Sequence, residues 1–511
     1  MKHLQFVKLA TLVACVLIMT GCKDDFLAQE PQTQLSTEQV FADLDNVQPY
    51  LNGVYNAWRE QHINRKGFYL MLGTDETQQG EYQVQTDAVQ AAFDKFNGFY
   101  SSENASIAEL WNRHWPVVIH ASEAIYYLEK MTPASPEDST RISSYLGQAY
   151  FYRGVMLFHL AQYWGSVPIP TVDNGVVNIS PLTPMADVYK KAEADLTFAL
   201  GHLSDTKSSD GRIPTIWVVH ATLGRMYMSA WPESGMRDWA KAKEHLQKVV
   251  DSKKFSLMPS FAALWSAVDN CEQEAIYTFY FNNVWPDTNE LQWYTGSRAC
   301  SSDPNCYFGG YDLLIPTTYA QATVAQGGVW EEGDLRKNES IRYDFTYKGK
   351  KPAAVSGFGE DQLLPHIKKY EDIRIDGLKS FYESGKNVYY IRYADVLLLL
   401  AECENELGNG GQAVDLVNQV RQRAFGNSEH NWSAMSQEDF RKNLLDERIR
   451  ELLCEGWRRM DLQRQGQFVT LVKARNRWAK EIGSLNDSHL LYPIPMTEIK
   501  TNPNLSMDIA R

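Results

Sequence analysis

The chain has 511 residues, in which 50 Lys and Arg stand against 63 Asp and Glu, giving a formal net charge of −13. Hydrophobic residues make up 44% of the chain, enough to bury a sizeable core, so the composition excludes a globally disordered protein. The acidic balance argues against nucleic acid as a partner, because non-specific binding requires Lys and Arg to neutralise phosphates.

Residues 1–21 have the pattern of a removable secretion signal. Two lysines precede an apolar run from Leu9 to Met19, which is too short to span a bilayer as a helix. The run ends in Thr-Gly-Cys, and small residues directly before a Cys resemble a bacterial lipobox. We therefore predict cleavage before Cys22, acylation of Cys22 and attachment to a membrane through the acyl chains. The alternative is an ordinary secretory signal followed by an incidental cysteine.

The first strong helical pattern runs from Ile142 to Tyr163. Its apolar residues recur at steps of three and four, so they share one face of a predicted amphipathic helix. We expect this helix to end at Gly165, because the prolines that follow prevent its continuation. The segment from Tyr189 to Leu203 repeats the pattern.

An internal repeat lies beneath these helices. The pattern Leu-Gly-x-x-Tyr at Leu146–Tyr150 recurs at Leu223–Tyr227, and a third unit lies between Leu400 and Val420. The offsets resemble the tetratricopeptide repeat of about 34 residues, in which a small residue lets two helices approach. The predicted fold is therefore mainly α, with tetratricopeptide-like helix pairs forming a right-handed superhelical scaffold and a loop-rich region packed on it. The alternative is a set of unrelated amphipathic helices.

The helical periodicity fades between residues 256 and 390, where Gly, Pro, Asn and aromatic residues dominate. Ala275–Phe281 is predicted as a strand, and the remainder as long loops, which are usually functional in a compact protein. The helical pattern returns at Tyr393, and Tyr492–Pro495 is predicted as an extended strap. The predicted organisation is a signal (1–21), an N-terminal part with helix-pair repeats (22–255), a loop-rich variable region (256–390) and a C-terminal helical part with the strap (391–511).

The cysteines give two predictions. Cys403 and Cys454 lie in apolar helical patterns and are predicted as buried thiols. Cys300 and Cys306 flank a turn-rich loop, and either a disulfide between them or two separate thiols fits a chain outside the cytoplasm. No C-x-x-C pair or paired His spacing is present, so the sequence predicts neither a metal site nor a cofactor.

Several segments together resemble the SusD/RagB family of outer-membrane lipoproteins. The matching motifs are Leu51-Asn52-Gly53-Val54-Tyr55, Val167-Pro168 after the helix that ends at Gly165, Glu447-Arg448 with Asp461-Leu462-Gln463-Arg464, and Tyr492-Pro493-Ile494-Pro495. The acidic cluster Lys23-Asp24-Asp25 behind the cysteine resembles the surface-export signal of Bacteroidetes lipoproteins.

The resemblance implies a role in nutrient capture. Such a protein is held on the outer membrane by its lipid anchor, faces the cell surface, and passes oligosaccharides to a SusC-like TonB-dependent transporter without catalysing a reaction. One alternative is the same architecture with peptides as cargo. A secreted glycan-degrading enzyme is the third hypothesis and the least favoured.

Sugar recognition requires flat aromatic faces for pyranose rings and polar groups for hydroxyls. The loop-rich region supplies both, and its predicted ligand-binding residues are Trp285, Trp293, Tyr294, Arg298 and Tyr307. The alternative is that these rings seal the loops onto the helices.

A second set of candidates is Asp75, Glu76 and Tyr82. The resemblance implies that the loop after the first long helix reaches the ligand face. As the alternative, Asp75 caps the next helix.

The segment Glu447–Arg464 carries many charges but is not predicted to be catalytic. Glu451 and Glu455 share one helix face, whereas glycoside hydrolysis requires two carboxylates across a cleft of about 5–9 Å. We predict a structural ion-pair network in which Arg448 and Arg458, on neighbouring turns, pair with these carboxylates. The sequence also lacks the common nucleophile, phosphate-binding and zinc-protease motifs, so no catalytic residue is proposed.

Overall fold

The computed structural model describes residues 35–62, 67–266, 271–284, 286–297, 299–300, 310–346, 349–350, 364–372, 374, 384–502 and 505. Within these residues the helices are α1 Thr37–Val40, α2 Val47–Arg59, α3 Glu81–Thr86, α4 Ala88–Lys95, α5 Ala105–Asn112, α6 Trp115–Lys130, α7 Pro136–Trp164, α8 Met185–Leu200, α9 Ile216–Ser229, α10 Trp239–Asp251, α11 Phe261–Leu264, α12 Leu291–Thr295, α13 Thr318–Gln321, α14 Arg336–Ser340, α15 Tyr393–Glu406, α16 Gly410–Phe425, α17 Gln437–Leu452, α18 Arg458–Arg464, α19 Phe468–Arg475, α20 Arg477–Ile482 and α21 Met496–Thr501.

The strands are short and form two-stranded antiparallel pairs. They are β1 Thr77–Gln78, β2 Val167–Pro168, β3 Thr171–Asp173, β4 Val176–Asn178, β5 Leu182–Thr183, β6 Ala275–Phe279, β7 Ile315–Pro316, β8 Ile341–Arg342, β9 His366–Ile367 and β10 Val388–Arg392. None of the helices in the described part of the chain is both long and apolar enough to cross a membrane.

The helices pack in consecutive pairs. Helix α7 packs on α8, α9 on α10, and α15 on α16, and neighbouring pairs are joined where α8 touches α9 and α10 touches α15. One continuous apolar core runs through the array. The predicted mainly α scaffold of tetratricopeptide-like helix pairs is confirmed.

The glycines of the repeat lie where two helices approach closely. A Cβ atom placed on Gly224 of α9 would lie 2.6 Å from Cγ of Leu246 on α10. A Cβ atom on Gly147 of α7 would lie 3.0 Å from Cβ of His202, just beyond the end of α8. The repeated glycine therefore has a steric origin, because a side chain at either position would push the helices apart.

Helix α7 ends where the sequence predicted and begins earlier. Gly165 follows its last residue with a φ of 80°, a left-handed conformation that favours glycine. At the other end, the hydroxyl of Ser135 accepts a hydrogen bond from the backbone N–H of Asp138, and Pro136 occupies the first turn. These polar start signals precede the apolar residues, so periodicity alone placed the start too late.

Strands β6 and β10 join the two ends of the loop-rich region. They pair antiparallel, with Val388 opposite Phe279. The predicted strand is confirmed, although it ends at Phe279 rather than at Phe281. Helix α15 follows β10 directly, and it begins at Tyr393 as predicted.

The C-terminal strap is extended and buried against the scaffold. The backbone N–H of Tyr492 donates to the carbonyl of Tyr163 at 2.8 Å, and that of Met496 donates to the carbonyl of Ser102 at 2.7 Å. The prediction of an extended segment is confirmed at 492–495. A short helix, α21, then follows it, which the sequence did not predict.

Helix α17 carries a buried ion-pair network, as predicted, but the predicted partners are wrong, because Arg448 binds Asp461 and Arg458 binds Asp75. The carboxylate of Glu447 accepts from Arg336 at 2.8 Å and from Arg421 and Arg450 at 2.7 Å each. Glu451, one turn later, accepts from Arg336 at 3.1 Å and also from Arg392 and Arg423.

The two cysteines predicted as buried thiols are confirmed. Cys403 on α15 and Cys454 after α17 are both buried, and neither forms a disulfide. Burial raises the pKa of each thiol well above its usual range, so both stay protonated.

Candidate functional site

Five residues to which the sequence assigned roles lie outside the described part of the chain. They are Cys22, Trp285, Arg298, Cys306 and Tyr307. Lipidation of Cys22, a disulfide between Cys300 and Cys306, and ligand binding by the other three therefore stay predictions.

Asp75 lies in the interior and not on a ligand face. Arg458 donates to its carboxylate through Nε at 2.6 Å and Nη2 at 2.8 Å, and Arg475 donates through Nη1 at 2.9 Å. Burial alone would raise the pKa of Asp75, but these two guanidinium groups outweigh it and lower the pKa. The structure thus corrects the ligand-binding assignment of Asp75. The alternative of a helix cap is also wrong, since the residue before α3 is Gly80.

Glu76 is likewise buried. Its Oε1 accepts a hydrogen bond from the backbone N–H of Cys454 at 3.1 Å. Burial raises the pKa of Glu76 to about 8, against a smaller opposing effect of Arg458. Glu76 therefore has no surface to offer a ligand, and its assignment to the ligand face is corrected in the same way.

Tyr294 on α12 is also corrected, because only 4% of the residue is exposed. Its hydroxyl donates to the carboxylate of Glu290 on the preceding turn. Burial raises the pKa of Glu290 to about 7. Tyr294 packs in the main core, so it seals the loop onto the scaffold, as the alternative interpretation stated.

The remaining two predicted residues, Trp293 and Tyr82, lie on segments that are tied together. The rings of Trp293 and Tyr311, both half-buried, stack with their centroids 5.6 Å apart and their planes at 25°. Tyr82 on α3 is 44% exposed. The next residue, Gln83, donates through Nε2 to the carbonyl of Tyr311 at 2.9 Å, so it ties α3 to the stacked pair. We call Tyr82, Trp293 and Tyr311 the aromatic patch.

Tyr311 was not among the residues predicted from the sequence. Its backbone N–H donates to the carbonyl of Trp293 at 2.8 Å, which holds the two residues side by side although eighteen positions separate them. Tyr311 follows two glycines in the same loop-rich region as the predicted residues. Its aromatic side chain within this region is the signal by which Tyr311 could have been predicted.

A polar cleft of about 660 Å³ is lined by Tyr280 and Asp287, which precede Trp293 in the chain. It is bounded by the end of α2, the loop between α8 and α9, and the residues after β6. We call it the polar pocket, and the residues that matter for its chemistry are Arg59, Asp210, Gly211, Arg212, Tyr280 and Asp287.

Guanidinium groups fix two carboxylates of the polar pocket. Arg212 binds Asp210 through Nε at 2.8 Å and Nη2 at 2.7 Å, and Arg59 binds Asp287 through Nη2 at 2.6 Å. The hydrogen bonds from Arg212 lower the pKa of Asp210, so this carboxylate is ionised at neutral pH. An ionised carboxylate accepts hydrogen bonds only, which suits a ligand rich in hydroxyl donors.

Tyr280 adds an aromatic face to the polar pocket. Its ring packs directly over Gly211, where a Cβ atom would lie 2.4 Å from the tyrosine hydroxyl. The ring can take this position because residue 211 has no side chain. From sequence, Ser-Ser-Asp-Gly at 208–211 indicates a turn, but the residues that meet this turn come from distant parts of the chain.

The described residues contain no cluster of three or more His, Cys, Asp or Glu side chains that is arranged to hold a metal ion. The aromatic patch offers faces for stacking, and the carboxylates of the polar pocket offer hydrogen-bond acceptors.

Two family models match the chain. Residues 316–508 match the model described as the SusD family, and residues 25–228 match the model described as "Starch-binding associating with outer membrane". The chain is 26% identical to SusD-like protein P2 of Formosa agariphila over 97% of each chain. It is also 26% identical to the starch-binding protein SusD of Bacteroides thetaiotaomicron, over 57% of this chain and 59% of that one.

Solved structures share the fold. A SusD homolog from Bacteroides thetaiotaomicron superposes with a TM-score of 0.77 at 19% identity, covering 93% of this chain and 99% of that one. A laminarin-binding SusD-like protein superposes with a TM-score of 0.71 at 20% identity, covering 90% of this chain and 97% of that one.

Proposed function

Because the chain belongs to the SusD/RagB family, we propose that it binds oligosaccharides at the cell surface and delivers them to a partner TonB-dependent transporter. The observation that carries the proposal is the stacked pair Trp293 and Tyr311, to which Gln83 ties the helix that carries the exposed Tyr82. Half-buried rings held flat at a surface are suited to the C–H faces of sugars. The relatives named for starch and laminarin support carbohydrate as the cargo.

In this proposal the chain is anchored in the outer membrane by acyl chains on Cys22. The family description, which names association with the outer membrane, supports this location. The partner is a SusC-like transporter, for which the protein serves as the cargo-binding component.

The aromatic patch and the polar pocket contribute different interactions to binding. The aromatic patch supplies stacking, and the polar pocket supplies fixed carboxylates that accept hydrogen bonds from sugar hydroxyls. The segment 280–293 contributes to both, with Tyr280 and Asp287 in the polar pocket and Trp293 in the patch. A cargo of several sugar units fits this division better than a single sugar does.

The charged helix α17 supports binding without catalysis. Burial alone would raise the pKa of Glu447, but the guanidinium groups of Arg336, Arg450 and Arg421 lower it to about 2. A carboxylate with such a pKa stays ionised and cannot donate a proton at neutral pH. Glu447 therefore cannot act as the general acid that cleavage of a glycosidic bond requires.

Calorimetry against a panel of starch-derived and laminarin-derived oligosaccharides and host and plant glycans tests the proposal. We expect at least one to bind, and we expect Trp293→Ala and Tyr82→Ala each to weaken that binding at least tenfold. Phe99→Ala is the matched control, because Phe99 is 53% exposed and lies outside both surfaces. If no oligosaccharide of the panel binds, the result contradicts the proposal. A peptide that co-purifies with the protein would favour peptides as the cargo.

A further inference from the structure

A third cleft, of about 780 Å³, lies on a different part of the scaffold. It is bounded by the start of α6, by β4 and by the C-terminal helix α21. It shares no residue with the aromatic patch or the polar pocket. We call it the tail cleft, and its volume lies within the range of small-molecule sites, about 300–1,000 Å³.

Trp115, the first residue of α6, is the aromatic residue of the tail cleft. Its ring is half-buried and packs on Trp111, with centroids 5.0 Å apart. Its indole nitrogen has no accessible surface, so a ligand in the tail cleft can meet the ring of Trp115 but not its N–H.

The rest of the lining combines apolar and polar groups. Ile119 and Val177 present hydrocarbon, whereas Asn112, Asn178 and Thr501 present amides and a hydroxyl. Amide and hydroxyl groups can both donate and accept hydrogen bonds, so they match the dual character of a sugar hydroxyl.

The charge of the lining selects among possible ligands. Glu498 contributes a carboxylate, and the described residues of the lining include no Lys or Arg. Among these residues His120 is the one other titratable group, and its Nδ1 lies 2.9 Å from the carboxylate of Glu123. Phosphate, sulfate or uronic acid groups would meet Glu498 without any cation of the lining to compensate. The tail cleft therefore disfavours anions and suits a neutral polyhydroxylated ring.

We propose that the tail cleft is a second saccharide site, for a neutral sugar unit that packs against Trp115. The ring of Trp115 packs against the C–H face of the sugar, and the carboxylate of Glu498 accepts from a sugar hydroxyl. The inference rests on the proposed function in one respect, namely that carbohydrate is the class of cargo. It adds a site made from the helix scaffold and the tail instead of the loop-rich region.

Crystals of the protein soaked with glucose, galactose, mannose, xylose or N-acetylglucosamine, together with titrations of the same sugars observed by NMR, test the inference. We expect at least one of these sugars to lie against Trp115 and to bind in solution. Trp115→Phe keeps an aromatic face, so it should retain most of the binding. Trp115→Ala should weaken it at least tenfold.

Glucuronic acid is the charged counterpart of glucose in this experiment. It should bind the native tail cleft at least tenfold more weakly than glucose does, and Glu498→Gln should reduce that difference. Equal binding of the two sugars by the native protein would contradict the role given to Glu498. A tail cleft that stays empty with every sugar, or that is filled by residues 506–511 of the chain itself, would overturn the inference.

Trp293→Ala separates this inference from the proposed function. If Trp293→Ala abolishes oligosaccharide binding while Trp115→Ala changes nothing, the proposed function stands and the second site does not exist. If a neutral sugar binds at Trp115 and no oligosaccharide binds at the aromatic patch, the inference stands and the proposed site of cargo binding is wrong.

Discussion

The guanidinium group of Arg458 closes on the carboxylate of Asp75, which precedes it by 383 positions, with nitrogen–oxygen distances of 2.6 and 2.8 Å. Both side chains are buried. The pair joins the segment before α3 to helix α18, so it ties the N-terminal part of the chain to its C-terminal part. Arg475, at the end of α19, donates to the same carboxylate at 2.9 Å.

Replacing Asp75 by Ala should destabilise the protein by about 3–5 kcal/mol, because the change leaves a buried guanidinium group without its counter-charge. The free energy of unfolding in urea measures the effect. If Asp75→Ala does not yield folded protein, Asp75→Asn keeps the shape of the side chain and should still be less stable than the native chain.

The matched control for Asp75 is an exposed ion pair. Lys190 and Asp187 on α8 lie 2.9 Å apart, and more than half of each side chain is exposed. Lys190→Ala should change stability by at most about 0.5 kcal/mol, since solvent screens such pairs. Similar losses for the buried and the exposed pair would contradict the structural role given to Asp75.

Gly224→Ala should destabilise the protein, whereas Gly53→Ala should not. Both glycines lie within helices, where Ala is favoured over Gly by about 1 kcal/mol. At Gly224 the new methyl group would meet Leu246 at 2.6 Å, and overpacking of this kind costs about 1–3 kcal/mol. At Gly53 no other atom lies within 4 Å of the new Cβ, so only the gain in helix propensity remains. Thermal and urea unfolding of the two variants should therefore change in opposite directions.

Glu76 makes the free energy of unfolding depend on pH between about 4.5 and 8. Its pKa is about 8 in the folded protein, against 4.5 for an unperturbed glutamate. Because the folded pKa is the higher one, this contribution to stability is complete below pH 4.5 and is lost as pH rises to about 8.

Glu76→Gln removes this titration while keeping the acceptor for the N–H of Cys454. The variant should match the native protein near pH 4.5 and become more stable than it by about 1.4 kcal/mol per pH unit towards pH 8. Urea unfolding at a series of pH values gives both curves. Parallel curves for the two proteins would show that Glu76 does not titrate in this window.

Gly211→Ala should weaken oligosaccharide binding without a comparable loss of stability. The added Cβ atom would lie 2.4 Å from the hydroxyl of Tyr280, so the ring must leave its place in the polar pocket. Gly98→Ala is the control, since nothing lies within 4 Å of the Cβ atom that it adds. We expect calorimetry to show at least a threefold loss of affinity for Gly211→Ala and none for Gly98→Ala. Unchanged binding in both variants would exclude Tyr280 from the site.

Periodicity and turn residues predicted the scaffold because both act locally. The apolar face from Ile142 to Tyr163 and the stop at Gly165 lie within one helix and its cap, and the structure has both. The repeated glycine at 147 and 224 predicted close helix contacts, because only the missing side chain permits them.

The candidate site was harder to predict, because its residues depend on partners far along the chain. Asp75 was predicted to lie in a loop at the ligand face. No residue near it in the sequence indicates that Arg458 pairs with it in the interior. Tyr294 and Trp293 are adjacent aromatic residues of one short helix, yet only Trp293 reaches the surface. Helix α12 is too short for periodicity to distinguish its inner face from its outer face.

The pairing of β6 with β10 brings the two ends of residues 280–387 to adjacent positions. Within this stretch Arg336 is a buried partner of Glu447 and Glu451 on α17, so a transplanted segment that lacks this arginine would strand two carboxylates in the interior. We infer that a chimaera joined at Phe279 and Val388 would fold only if its donor supplies an arginine in the place of Arg336.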